Sequence, residues 1–529
     1  MASFDSLSME LVVNICEFVR NKHDQTNACL VNRTFCSLVS ANLWKTFSTD
    51  LCCDDAELFD TLVHPKSNIL PNIKHFHLEE TDTDCRFQAV QQDRFTIFMM
   101  ALPRNKLVEF SSEVRFGSKM FRMLVQCQQQ LHKLEVTLSE SLVGMPVLSP
   151  YLAAVEHICI QIYGDVVHSA RRFKNYGPLL LQTPKLDSLQ IKAPKLARTD
   201  AAISIRRISF PALGDGSGKF SLKRLELAKL YLDLNHTRIS NHITLETLAT
   251  LKLDDCVKCG PFLAKLSSEF AGSICALKRL HVKLRSGSSD TTHDINHLIM
   301  SFKGLETLYL SLDKPVSTNS IINHSLTLTS FGFSSDISDS TGYTRSEWTS
   351  ILKACTLLTQ LGIDFDTKCC EWNDLGYDLF VDSANREWSH LSTSKGFLKV
   401  IASHPSLCSI RALDPSFLDW MKVHNPDKSS SDTIPTDTVE LAAAAIHVFA
   451  TQTLRYLHIH GSKIRYLAWK PLSSSYAQPY KLEFEGEVIP SYAYYKGRAN
   501  DDTVVKRVVA IPVDGYEQEM RESSIFFDF

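Results

Sequence analysis

No stretch of this chain approaches the ~20 consecutive apolar residues that cross a bilayer. The most apolar run, LAAAAIHVFA at 441–450, is short and contains His447. No basic segment followed by an apolar one opens the sequence, which predicts a chain that is not secreted and works in the cytoplasm, the nucleus or both. Neither sign of charge dominates. Against 56 Lys and Arg stand 59 Asp and Glu, a net charge of −3, so no overall field draws the chain to nucleic acid or to an acidic membrane. The phosphate-cradling glycine loop, the nucleophile elbow, the HExxH helix and paired CxxC motifs are all missing. The sequence therefore offers no catalytic residue, no metal centre and no cofactor site. Disulfides are not expected either: the 15 cysteines are odd in number and include the adjacent pairs Cys52-Cys53 and Cys369-Cys370, which suits reduced thiols.

What the chain does have is a repeated phrase, Leu-x-x-Leu-x-Leu. It reads LHKLEV from 131, LDSLQI from 186, LKRLEL from 222, LATLKL from 248, LKRLHV from 277, LETLYL from 305, LTQLGI from 358 and LRYLHI from 454. Looser copies are IKHFHL from 73, LVEFSS from 107, VEHICI from 155, LTSFGF from 328 and LCSIRA from 407. From 222 to 358 successive copies begin 26, 29, 28, 23 and 30 residues apart, a regularity that a merely leucine-rich chain lacks. Positions four and six of the phrase point to one side of a short strand, and position one packs beneath it.

Between copies the period becomes helical. Phe95, Phe98, Met99 and Leu102 fall at i, i+3, i+4 and i+7, as do Ile295, Leu298, Ile299 and Phe302, and Trp348, Ile351, Leu352 and Cys355; Phe262, Leu266 and Phe270 form a comparable stripe. Each unit is thus one strand plus one amphipathic helix, and only stacking on its neighbours buries its apolar side. Pro71, Pro184 and Pro405 set the turn into three of the strands. Over roughly residues 70–470 the pattern resembles the leucine-rich-repeat family, and in LATLKLDDC even the family's ninth-position Cys is present, as Cys256. The resemblance implies an irregular α/β solenoid, a horseshoe with strands on its concave side. Gaps of 49 and 47 residues after the copies at 358 and 407 leave insertions or unrecognised repeats open. Cys256-Val-Lys-Cys259 is a CxxC without a second pair at metal spacing.

The first 48 residues are different. SMELVVNICEFV, at 8–19, has helical spacing, with Ser8 as N-cap and Glu10 in the first turn. At about 100° per residue its apolar residues cover roughly 220° of the helix, whereas one dry side needs little more than about 100°. A second helix is expected from Asp24, with Ala28, Val31, Phe35 and Leu38 on one stripe, and SANLWKTF closes the segment with Leu43, Trp44 and Phe47. A segment this short is near the lower limit for an independent core, about 40 residues. It needs dry neighbours on two sides.

In order and spacing, Leu7, Glu10, Leu11, Ile15, Asp24, Val31, Arg33, Phe35, Leu43 and Trp44 resemble the F-box, with departures at Ser8, where Pro is usual, and Gln25, where Leu is usual. The resemblance implies that Leu7, Glu10, Leu11, Ile15, Val31, Arg33, Phe35, Leu43 and Trp44 dock on the Skp-type adaptor of a cullin–RING ubiquitin ligase, while the other side supports the repeats. An F-box followed by leucine-rich repeats is itself a recognised architecture. It implies a non-catalytic subunit that recruits substrates, and with no eight-ligand RING zinc pattern here, ubiquitin transfer falls to partners.

Positions three, five and seven of the phrase face the concave side. Lys192, Arg224, Lys252, Arg279, His281, Lys283 and Tyr309 make a candidate target-binding surface there, suited to an acidic or phosphorylated peptide. The plainer alternative is a solvated strand face balanced by Glu226 and Asp254. In the copy from 454, Tyr456, His458 and His460 share that side, but two histidines make no metal site. The expected layout is an F-box at 1–48, a linker at 49–70, repeats at 71–470 and a C-terminal segment at 471–529 whose alternating residues add strands. The competing reading is a repeat scaffold whose F-box-like helices only cap the solenoid.

Overall fold

A computed structural model describes residues 8–19, 22–51, 56–79, 85–138, 148–161, 179–180, 182–192, 220–230, 232, 243–271, 275–284, 291–334, 342–364, 395–414, 447, 450–451, 453–471, 492–498 and 508–512. The chain divides into two compact units, Met1–Thr244 and Leu245–Phe529. Both are α/β.

The first unit opens with α1 (Met9–Phe18), α2 (Lys22–Val31) and α3 (Arg33–Leu43). Strands β1 (Thr46–Thr49), β2 (His75–Leu78), β3 (Glu109–Phe116), β4 (Lys133–Leu138), β5 (His157–Gln161), β6 (Ser188–Lys192) and β7 (Arg224–Ala228) follow, each parallel to the one before. Helices α4 (Ala56–Val63), α5 (Cys85–Ala101) and α6 (Ser118–Cys127) make the first crossovers, as parallel pairing requires. The second unit repeats this order. Its parallel strands are β8 (Thr250–Asp254), β9 (Arg279–Lys283), β10 (Thr307–Ser311), β11 (Ser330–Ser334), β12 (Gln360–Asp364), β13 (Ser409–Asp414) and β14 (Tyr466–Pro471). Between them lie α7 (Gly260–Phe270), α8 (Thr291–Met300), α9 (Thr318–Ile322), α10 (Arg345–Ala354) and α11 (Lys395–Ala402). As expected of the C-terminal segment, two more strands follow, β15 (Tyr492–Arg498) and β16 (Val508–Pro512), both antiparallel to their neighbours.

The repeated phrase maps onto these strands. Its first position is buried at Leu107, Leu131, Leu222, Leu248, Leu305 and Leu358, and positions four and six are buried with it, as at Leu251 and Leu253. The backbone repeats too. The carbonyl at position two accepts from two amides of the next copy: Val108 O takes His132 N at 2.8 Å and Lys133 N at 3.2 Å, and Thr329 O takes Thr359 N at 2.8 Å and Gln360 N at 3.1 Å. The helical stripes at Phe95, Ile295, Phe262 and Trp348 are buried as their spacing requires.

Four expectations need correction. Residues 49–70 are not a linker, because they contain α4 and the turn Leu70–Asn72. The repeats also start earlier: Thr46 is the register partner of His75, so WKTFST is a copy led by Trp44. The copy expected from 454 is helical over 453–459, and the strand comes from IRYLAW at 464. Gly461, at φ +79°, ends that helix, with Ser462 N donating to Leu457 O at 2.9 Å; Tyr456, His458 and His460 therefore leave the strand face. Finally, the stripe expected from Asp24 to Leu38 is cut at Asn32, whose Oδ1 accepts from Phe35 N at 2.9 Å and starts α3. Across the long gaps after 358 and 407 no further strand enters the sheet, since β12 pairs directly with β13 and β13 with β14.

Buried polar side chains clasp successive repeats. Gln128 Oε1 accepts from Lys106 N at 2.8 Å and Leu107 N at 3.0 Å, while its amide donates to Pro103 O at 3.1 Å. In the second unit histidines take this role. His324 Nδ1 accepts from Leu305 N at 3.2 Å and its Nε2 donates to Ile299 O at 2.9 Å. His404 Nδ1 accepts from Leu407 N at 3.1 Å and its Nε2 donates to Cys355 O at 3.1 Å. Each ring can accept at Nδ1 only when neutral, and burial lowers both pKa values despite the stabilising carbonyls; Lys303 adds to the lowering at His324. Below about pH 6.5 the unfolded chain therefore binds protons that the folded unit does not. The stability of the second unit should fall as pH drops from 7.5 to 5, with a slope approaching about 1.4 kcal/mol per pH unit per histidine. Denaturant midpoints measured across that range check it. His324→Gln with His404→Gln should flatten the slope, because Gln128 shows that glutamine can form this clasp.

Candidate functional site

Two surfaces correspond to the candidate residues. On the first, α1 is capped by Ser8, whose Oγ accepts from Leu11 N at 3.4 Å. Val12 and Cys16, one turn apart, bury against Val39 of α3, with Ala28, Cys29, Phe35 and Leu38 packed around them. Gln25 is buried, and its amide donates to Val19 O at 2.8 Å, so this departure from the F-box pattern ties α2 to the end of α1. Large apolar side chains remain outside this small core: Leu11 is 50 % exposed, Ile15 38 %, Leu30 80 % and Val31 67 %. Glu10 and Arg33 are exposed, Phe35 and Leu43 half-buried, and Leu7 lies outside the described residues. Leu30 was missed because it lies off the stripe that had been drawn through α2 and α3 as one helix.

Trp44 turns the other way. Its ring lies 6.2 Å from Phe47, which stacks 6.2 Å from Phe76, and Phe76 meets Phe98 at 4.6 Å and Phe110 at 5.8 Å. As the leading residue of the first copy, Trp44 extends the aromatic core of the repeats. It is half-buried.

The second surface is made by the odd positions of the strands, and its cations fall into two groups. In the first unit they are neutralised. Lys192 Nζ donates to Glu135 at 2.5 Å, reaching across β5, and Gln161 donates to the same carboxylate at 2.7 Å. Burial works to raise the Glu135 pKa, but the Lys192 ammonium and the Gln161 amide outweigh it and hold the carboxyl below its usual range. Beside them Cys159 is pushed up to about 12, chiefly by burial and then by the charge of Glu135. Arg224 is paired with Glu226.

No protein-family model matches the chain, and no curated protein is significantly similar to it. The geometry of the two surfaces must carry the functional argument.

In the second unit Arg279 is exposed and Lys252 and Lys283 are half-exposed; among the described residues no carboxylate pairs with any of them. His281 and Tyr309, in contrast, are buried, as are both faces of β10 and β11. Arg411, at position five of β13, was missed, although its place in LCSIRA matches that of Tyr309 in LETLYL. It is 1 % exposed and interacts electrostatically with Tyr309. The residues between them in register are Gly332 and Gly362, so no side chain of the row stands between the two.

Cys256 and Cys259 are both buried. The Cys259 thiol is pushed well up by its hydrogen bond with Cys256 and by burial. Among the described residues no group of three or more His, Cys, Asp or Glu is placed to hold a metal, and no helix is long and apolar enough to cross a membrane.

Proposed function

We propose that this chain is the substrate-recruiting subunit of an SCF-type ubiquitin ligase, an F-box followed by leucine-rich repeats. Its N-terminal helices hold a Skp-type adaptor, and the odd-position strand face holds a target. The observation that supports this most is the exposure of Leu11, Ile15, Leu30 and Val31 on α1 and α2, in a bundle whose residue order resembles the F-box. Exposed apolar groups of this size on one small segment mark an interaction site, and burying each is worth roughly 1.5–3 kcal/mol.

A second reading keeps the helices as an end cap of a repeat scaffold. The packing of α3 on Leu70–Asn72 and the inward Trp44 favour it, while the four exposed side chains do not. Calorimetric titration of a purified Skp-type adaptor into the full chain separates the two. Recruitment predicts that Leu11→Asp with Ile15→Asp weakens binding by about 100-fold or more. Trp44→Leu, which places a leucine where most other copies have one, should leave the affinity within about twofold. Absence of binding by the folded full chain supports the cap.

A further inference from the structure

Where would the target be gripped? In the first unit three strand-face cations already have carboxylates: Lys133 has Glu109, Lys192 has Glu135 and Arg224 has Glu226. On β8 and β9 three cations, Lys252, Arg279 and Lys283, have no carboxylate partner among the described residues. Arg279 and Lys283 share one face of β9, four residues apart, which is roughly 13 Å at ~3.3 Å per residue. Lys252 is the register partner of His281, the residue midway between them. Thr307, Tyr309 and Ser311 of β10 are buried, so the open strip ends there. Asp254, opposite Lys283 in the register, and Asp255 after it are the local acids, and neither forms an ion pair with these cations among the described residues.

We propose that Lys252, Arg279 and Lys283 bind an extended acidic segment of a target protein whose anionic groups stand four residues apart. Unpaired cations at strand spacing match an extended chain laid along β9, with alternate side chains facing the sheet. His281, on the same face midway between Arg279 and Lys283, is buried and adds no exposed charge. The proposal rests on the proposed function only in taking the strand face as the target side.

The test is fluorescence anisotropy of the full chain with labelled peptides of one composition. In one, two phosphoserines stand four residues apart; in a second they are adjacent; in a third, glutamates replace them at the wider spacing. Tightest binding of a widely spaced peptide is expected, weakening about tenfold or more on Lys252→Gln, Arg279→Gln and Lys283→Gln together, and weakening with salt. Comparison of the phosphorylated and glutamate peptides identifies the anion. Lys353→Gln, at an exposed position on α10, should change nothing. Circular dichroism and adaptor titration on the same preparations separate the outcomes. Equal binding by the triple variant, equal binding of both spacings, or no peptide binding by a chain that still binds adaptor overturns the strip. Peptide binding without adaptor binding keeps the strip and removes the ligase role.

Discussion

Replacing Phe110 with alanine is expected to cost the first unit about 4 kcal/mol. Phe110 lies 5.8 Å from Phe76, 6.1 Å from Phe95 and 5.4 Å from Phe116, and it is fully buried. These rings come from β2, α5 and β3, so one side chain joins two successive repeats and the helix between them. Alanine removes the transfer energy of the ring and leaves a cavity that backbone hydrogen bonds on both sides prevent from collapsing. Phe110→Leu should cost only about 1–2 kcal/mol, since it keeps most of the volume. Hydrogen exchange of the β2, β3 and β4 amides measures both losses, and a multi-repeat chain needs such a local readout. Equal and small losses for Ala and Leu would mean that the aromatic string does not organise this part of the core.

Arg411→Ala is expected to lower the stability of the second unit by about 3 kcal/mol, and Arg411→Met to restore most of it. Burial draws the guanidinium pKa down from 12.5 to about 10, against the opposing influence of Tyr309. The group is therefore still charged at neutral pH, and holding it there costs about 3 kcal/mol relative to water. Gly362 and Gly332 separate it from Tyr309 in the register, and Ala468 is its partner on the other side, so no large side chain adjoins Arg411 in its row. Alanine empties the space. Methionine refills it without the charge, a replacement that buried ionic groups commonly tolerate. The denaturant midpoint of the second unit measures both variants, and methionine as damaging as alanine would show that the charge, not the volume, is what this position needs.

The strands were legible wherever one short phrase carried its own geometry. Leu251 and Leu253 lie on one side because a strand has period two, and Leu248 lies beneath them because the turn puts it there. The hexapeptides LRYLHI and IRYLAW show the limit of that reading. They share Arg-Tyr-Leu and nearly the same apolar positions, yet the first is helix and the second strand. The distinguishing signal is Gly461, which terminates the helix after the first copy and lies outside the phrase. Trp44 shows a related limit, since it closes the helical segment as the C-cap of α3 and in register also leads a strand. The free and neutralised cations could not be separated in advance. The Lys192–Glu135 pair joins residues 57 positions apart across an intervening strand, and only the register brings them together. The half-exposed surface on α1 was legible as an excess of apolar arc, although which part stays open depended on where α3 packs.

The most direct test of the account is hydrogen exchange of the full chain with and without a saturating Skp-type adaptor. Recruitment predicts new protection over 9–18 and 22–31, where Leu11, Ile15, Leu30 and Val31 are exposed, and unchanged exchange in β8 and β9, which remain open for a target. Unchanged exchange throughout, or protection confined to the strands, would contradict it and leave the N-terminal helices as the cap of a scaffold.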